Sequence, residues 1–135
     1  MDLNQAMQVA AAGMKVQGAR MRLVAQNLAN AESTALAPGG APYRRQTITF
    51  ATALDRARGL ELVRVARTGV DRTPFPLEHD PGHPAADADG YVLLPNVKPL
   101  LEMMDLREAQ RSFEANLNAL TLARSMVQRT LDLLR

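Results

Sequence analysis

Cysteine and tryptophan are both absent from this chain of 135 residues. Without cysteine there are no disulfides and no thiolate metal sites, and the redox compartment stays open. Without tryptophan, and with only two Tyr and three Phe, a core must be built mainly from Leu, Val, Met and Ala, a composition suited to helix packing. No apolar run reaches the roughly 18 residues that a membrane-spanning helix needs. The N-terminus lacks a basic stretch followed by a continuous apolar one, so neither a cleaved signal peptide nor a transmembrane segment is expected. If the chain leaves the cytoplasm, the expected route removes nothing.

Charge of one sign is also lacking. The net charge is +2, and it is nearly balanced along the chain: three bases and one acid in 1–31, eight of each in 32–99, five of each in 100–135. A nucleic-acid-binding module concentrates bases on one face, so no nucleic-acid partner is expected. At 47% hydrophobic residues the chain is not composed like a disordered one.

What is present is helical periodicity at both ends. The segment 100–135 contains neither Gly nor Pro. Steps of three and four pick out Met103, Leu106, Gln110, Phe113, Leu117, Leu120, Arg124, Val127, Leu131 and Leu134, the pattern of a helix holding one seam against a helical partner. Gln110 and Arg124 interrupt it and are expected to fix register by meeting polar partners. Pro99 suits the first turn of this helix. The opening segment predicts a second helix from about Leu3 to Ala29, with Asp2 and Gln5 forming a capping box. Its seam reads Leu3, Met7, Ala10, Met14, Gln17, Met21, Val24 and Leu28. Gly13 and Gly18 cost this helix about 1 kcal/mol each relative to Ala, which points to close helix approach.

The middle differs: all eight prolines and six of the eight glycines fall between 32 and 99. Strands are predicted at Tyr43–Phe50, Leu60–Thr68 and Tyr91–Leu94, with Arg64 and Arg67 towards solvent. Asp80-Pro81-Gly82-His83-Pro84 reads as a fixed irregular loop. The fold class is therefore α+β, with long N- and C-terminal helices forming a coiled-coil-like pair around a small β-rich, Pro- and Gly-rich insert. The organisation is 1–31 for the first helix, 32–99 for the insert and 100–135 for the second helix.

Chemistry-bearing patterns are weak. His79, Asp80, His83, Asp87 and Asp89 lie close in sequence, but Asp87-Ala88-Asp89-Gly90 misplaces the glycine of a calcium loop, and Pro81, Gly82 and Pro84 forbid the helix that a His79–His83 zinc pair requires. Arg44 and Arg45 point to opposite sides of an extended segment. No nucleophile elbow, phosphate loop or paired catalytic carboxylate is present. No catalytic, metal or cofactor site is expected. The apolar stripes, by contrast, are wider than one seam, which implies more than one neighbour. This is a protein-binding protein, with assembly through its end helices as the leading reading. A free-standing coiled-coil adaptor, and a nucleic-acid or metal module using Arg44, Arg45, His79 and His83, are the alternatives.

Val24-Ala25-Gln26-Asn27-Leu28-Ala29-Asn30-Ala31, then Ser33-Thr34 and Pro42-Tyr43-Arg44-Arg45-Gln46, resemble the N-terminal signature of bacterial flagellar axial proteins of the rod and hook. Asp80-Pro81-Gly82-His83-Pro84-Ala85-Ala86-Asp87, Asp89-Gly90-Tyr91-Val92, Pro95-Asn96-Val97 and Phe113-Glu114-Ala115-Asn116 continue the likeness over nearly the whole chain. The resemblance implies a structural subunit of the basal-body proximal rod, the periplasm-spanning drive shaft. It implies self-association in a helical array, contact with other proximal rod, distal rod and export-gate adaptor proteins, and passage through the flagellar type III export apparatus. It implies that Asn27 and Asn30 close the first helix near a subunit contact and that Tyr43 and Arg44 begin the insert against a neighbour.

Overall fold

A computed structural model describes residues 1–135. Its elements run α1 (Leu3–Ala29), β1 (Gln46–Asp55), β2 (Leu60–Val70), β3 (Leu77–His79), β4 (Tyr91–Leu93) and α2 (Pro99–Leu133). The fold is α+β as the sequence predicts. α1 opens with the expected capping box: the Asp2 carboxylate accepts from the Gln5 amide at 2.7 Å, and the Gln5 side chain accepts from the Asp2 amide at 3.2 Å. Two of the donors that a helix start leaves unpaired are thereby satisfied. Pro99 is the first residue of α2, where its missing N–H costs nothing.

The strands depart from the sequence reading. β1 begins at Gln46, three residues later than expected, because the N–H of Arg45 is taken by the Asn96 side chain at 2.7 Å and that of Gln46 by the Asn27 side chain at 2.9 Å. It runs on to Asp55, where Arg56–Gly59 turns the chain into β2. Gly59 has φ +65°, a conformation that costs a residue with a Cβ. Arg64 and Arg67 are exposed as expected. The short β3, not foreseen, pairs antiparallel with β4, matching Leu77 to Leu93, Glu78 to Val92 and His79 to Tyr91. Three residues between Pro76 and Asp80 are too few to show a period.

The chain forms two compact units, one of residues 1–21, 48–67 and 106–135, the other of 22–47 and 68–105. In the first, α1 and α2 pair antiparallel: Gly13 meets Asn116, and the Arg20 guanidinium lies 3.6 Å from the Glu108 carboxylate. A Cβ on Gly13 would stand 2.7 Å from Asn116 Nδ2, so the close approach predicted for this glycine is real. Ala10, Val16, Ala109 and Ala123 are buried here. In the second unit the buried residues include Val24, Val92, Pro95 and Val97, together with the polar Asn27, Asn96 and Glu102.

Within the second unit the 80–90 loop is held by its own polar groups. Asp87 Oδ1 accepts the amides of Asp89 and Tyr91, both at 2.9 Å. Gly90 adopts φ +84° and packs against Pro81. His83 accepts from the Ala85 amide at Nδ1 and faces the Thr34 hydroxyl through Nε2, while the His79 ring meets that of Tyr91 edge to face. The loop is scaffolding of the kind its prolines imply.

Candidate assembly interface

The inward face of α2 is not the one that apolar periodicity selects. Leu106, Phe113, Leu120 and Val127 are half-buried, as expected. Met103, Gln110, Leu117, Arg124, Leu131 and Leu134 are exposed. The positions that accompany the first set inward are Glu102, Ala109, Asn116 and Ala123, each seven residues from the last. Fractional exposures of 1% for Glu102, 0% for Ala109 and 6% for Ala123 leave no ambiguity. Gln110 and Arg124 therefore do not interrupt the intramolecular seam; they lie outside it. The true series is hidden from a hydrophobic pattern because it is made of small and polar residues.

On α1, Leu3, Met7, Met14, Met21 and Leu28 are all half-buried. This helix spends its stripe largely within the chain. α2 does not. In the second unit Leu100, Leu101, Met103 and Met104 are 47–70% exposed, and in the first unit Leu122, Met126, Leu133 and Leu134 are 46–86% exposed. Isolated exposed leucines are ordinary, but exposed apolar residues in a row along one helix mark a contact surface.

Beneath the start of α2, the second unit holds a polar junction. The Asn27 side chain is fully buried and makes four hydrogen bonds. Its Nδ2 donates to the Gln46 carbonyl at 3.0 Å and to Glu102 Oε2 at 3.2 Å, and its Oδ1 accepts from the Tyr43 hydroxyl at 2.7 Å and the Gln46 amide at 2.9 Å. That is the full capacity of a primary amide. Asn27 thus ties the end of α1 to the insert and to α2 inside one chain, and no valence is left for a neighbour. Asn30 does close the helix, its side chain donating back to the Gln26 carbonyl at 2.9 Å.

Glu102 Oε1 accepts from Arg45 Nε, and the Arg45 guanidinium also lies 3.7 Å from the Asp71 carboxylate. Such pairing is what permits a carboxylate to be buried. Asn96 donates to the carbonyls of Asp71 and Thr73 and to the Thr73 hydroxyl. Arg44 donates to the same two carbonyls and stacks its guanidinium 4.1 Å over the Phe75 ring. Two pKa values move here. Burial, aided by the Glu102 charge, raises that of the Tyr43 phenol. Hydrogen bonds from the Thr73 amide and hydroxyl, with smaller help from Arg45 and Arg44, lower that of Asp71. Tyr43 and Arg44 accordingly have partners within the chain. Glu102 and Asn96 are the junction residues that apolar pattern reasoning passes over; the steps of seven through Glu102, Ala109, Asn116 and Ala123 are the signal that could have found the first.

Arg45, Asp71, Thr73, Pro74, Pro76, Asn96, Lys98, Leu101 and Glu102 line a recess of about 460 Å³ beside this junction. Three of its charged groups, Arg45, Asp71 and Glu102, are paired with one another. The helices include none long and apolar enough to cross a membrane.

The chain is similar to known flagellar rod proteins. A family model described as the flagellar basal body rod FlgEFG protein C-terminal matches residues 88–133. The chain is 50% identical over 133 residues to the flagellar basal-body rod protein FlgC of Agrobacterium fabrum, covering 98% of this chain and 96% of that one. It is 40% identical to the protein of the same name from Aquifex aeolicus, covering 98% and 97%. With that of Salmonella typhimurium it shares 37% identity, covering 93% and 92%.

Proposed function

We propose, from the premise that the chain belongs to the family of flagellar basal-body rod proteins FlgC, that the exposed stripe of α2 is the surface by which it is built into the rod. The chain is a structural subunit of the basal-body rod and serves motility. Its work is mechanical: repeated head-to-tail contacts between like subunits produce an open helical array, and burial of the stripe supplies much of the association energy. The observation that carries this reading is the run of exposed apolar residues along a helix whose opposite face is already covered. In this reading the subunit sits in the proximal part of the rod and transmits torque across the periplasm. It contacts other rod proteins and copies of itself, with distal rod and export-gate adaptor proteins nearby. It reaches that place through the flagellar export apparatus. Gln110 and Arg124, exposed on α2, serve as polar register points between chains.

The test is a pair of outward substitutions, Leu122→Asp and Met126→Asp. Each is expected to abolish swimming and rod completion while the chain is still made at normal levels and keeps its helicity. Normal swimming in both variants would overturn the proposal.

A further inference from the structure

We propose that Leu36 is a knob that seats in an apolar recess on the next copy of this chain, a contact made by the insert and separate from the stripe of α2. Leu36 is 98% exposed, more than any other large apolar side chain, and its loop is built to hold it so. Ala37-Pro38-Gly39-Gly40 closes as a type II turn: proline supplies a fixed φ, Gly39 takes φ +80°, and the Gly40 amide donates to the Ala37 carbonyl at 3.2 Å, as that turn requires. On the other side, a Cβ on Gly40 would stand 2.8 Å from that of Ala35. Ala35 and Ala37 are both tied to Gly40, and Leu36 between them is held outward. A side chain presented already ordered costs less to bind.

The recess lies on the sheet of β3 and β4. The register pairs Leu77 with Leu93 and His79 with Tyr91, so strand alternation puts these four side chains on one face and Val92 on the other. Val92 is buried in the core of the second unit. The opposite face carries Leu77 at 61% and Tyr91 at 43% exposure, where a half-solvated sheet ordinarily places polar residues. Leu77, Tyr91 and Leu93, with Ala85, Asp87, Gly39 and Gly40, enclose about 180 Å³. Edge-to-face packing against His79 steadies the Tyr91 ring, so this wall is formed in advance.

Three features select a second copy as the occupant. An apolar cavity of about 150 Å³ holds a six-carbon ring, so the recess takes one leucine-sized side chain rather than a helix. Asp87 at its rim disfavours an acidic occupant, and the segment 34–42 carries no charge at all. Gly39 and Gly40 belong both to the turn that presents Leu36 and to the wall of the recess, so one surface offers both halves. Leu36, exposed as it is, does not fill the recess of its own chain. A knob and a pocket at different places on one molecule make a contact that passes from copy to copy without closing. The knob and the recess are features of the chain; that copies stand side by side rests on the assembly reading above.

The absence of native cysteine makes the contact readable. Basal bodies would be isolated from cells making Leu36→Cys and Leu77→Cys as two separate chains, then mildly oxidised. Because a disulfide needs its Cβ atoms about 4 Å apart, Tyr91→Cys serves as a second wall position. A disulfide-linked dimer of this chain is expected from a mixture of knob and wall variants and from no variant alone. One chain carrying both a knob and a wall cysteine should give trimers and longer ladders as well. Swimming should survive Leu36→Met and be lost in Leu36→Asp, neither of which disturbs folding at so exposed a position. A dimer from Leu36→Cys alone, a ladder that stops at the dimer, or normal swimming of Leu36→Asp would each overturn the proposal. So would basal bodies that contain the chain but show no link from position 36 to either wall position, a result that leaves the assembly reading standing. Basal bodies lacking the unaltered chain would overturn that reading, and this contact with it.

Discussion

Asn27 and Glu102, 75 positions apart in the chain, hydrogen-bond at 3.2 Å with 0% and 1% of their surfaces exposed. This contact fastens the last turns of α1 to the first turn of α2, and its surroundings have measurable consequences.

Asn27→Asp preserves shape but exchanges the Nδ2 donor for a carboxylate oxygen facing Glu102 Oε2 and the Gln46 carbonyl. Two buried donor contacts become repulsions. A loss of about 3 kcal/mol or more is expected, read as a lower midpoint in urea unfolding of the purified chain. A loss smaller than that of Asn27→Ala would show that the Nδ2 contacts matter less than the geometry implies.

Gly13→Ala raises helix propensity by about 1 kcal/mol but sets a Cβ 2.7–2.9 Å from three atoms of the Asn116 side chain. The clash outweighs the gain, and a net destabilisation of about 1 kcal/mol is expected. The double variant Gly13→Ala with Asn116→Ala should recover it. Thermal melts of the two single variants and the double would give the coupling directly, and additive effects would argue against the close approach.

Asp71 has its pKa lowered in the folded chain by the Thr73 hydrogen bonds and then by Arg45 and Arg44. A lowered folded value means that this carboxylate contributes stability in full above its unfolded value. That contribution is lost as pH falls from the ordinary value of 3.8 through the folded one. Asp71→Asn should therefore flatten part of the acid limb of the stability profile and leave its slope near neutrality unchanged.

Tyr43 supplies the opposite limb. Burial and the Glu102 charge raise its phenol pKa, so its contribution is complete below 10.0 and disappears as pH rises through the folded value. Tyr43→Phe should abolish that alkaline loss and, by leaving Asn27 Oδ1 with one donor instead of two, cost about 1 kcal/mol near neutrality. An alkaline limb unchanged in the variant would place the titration elsewhere.

The sequence by itself determined the elements and their order. Caps, prolines and period are local, so α1 could be read to its terminal residues and α2 to its first turn, and Gly13 could be read as a site of close approach. The Pro- and Gly-rich stretch declared the β-rich insert, and the run from Val24 to Arg45 pointed to the rod and hook family. Tertiary structure alone decided the starts of the strands and the phase of α2. Tyr43–Arg45 has strand composition, yet side-chain amides 19 and 51 positions away occupy the donors of Gln46 and Arg45. Along α2, hydrophobicity favours Met103 and Leu117, but Glu102 and Asn116 lie inward because Asn27, Arg45 and Gly13 wait for them. A period shows that a helix has a buried face. Which of two adjacent faces it is depends on where distant polar partners stand, and that information is not contained in the helix.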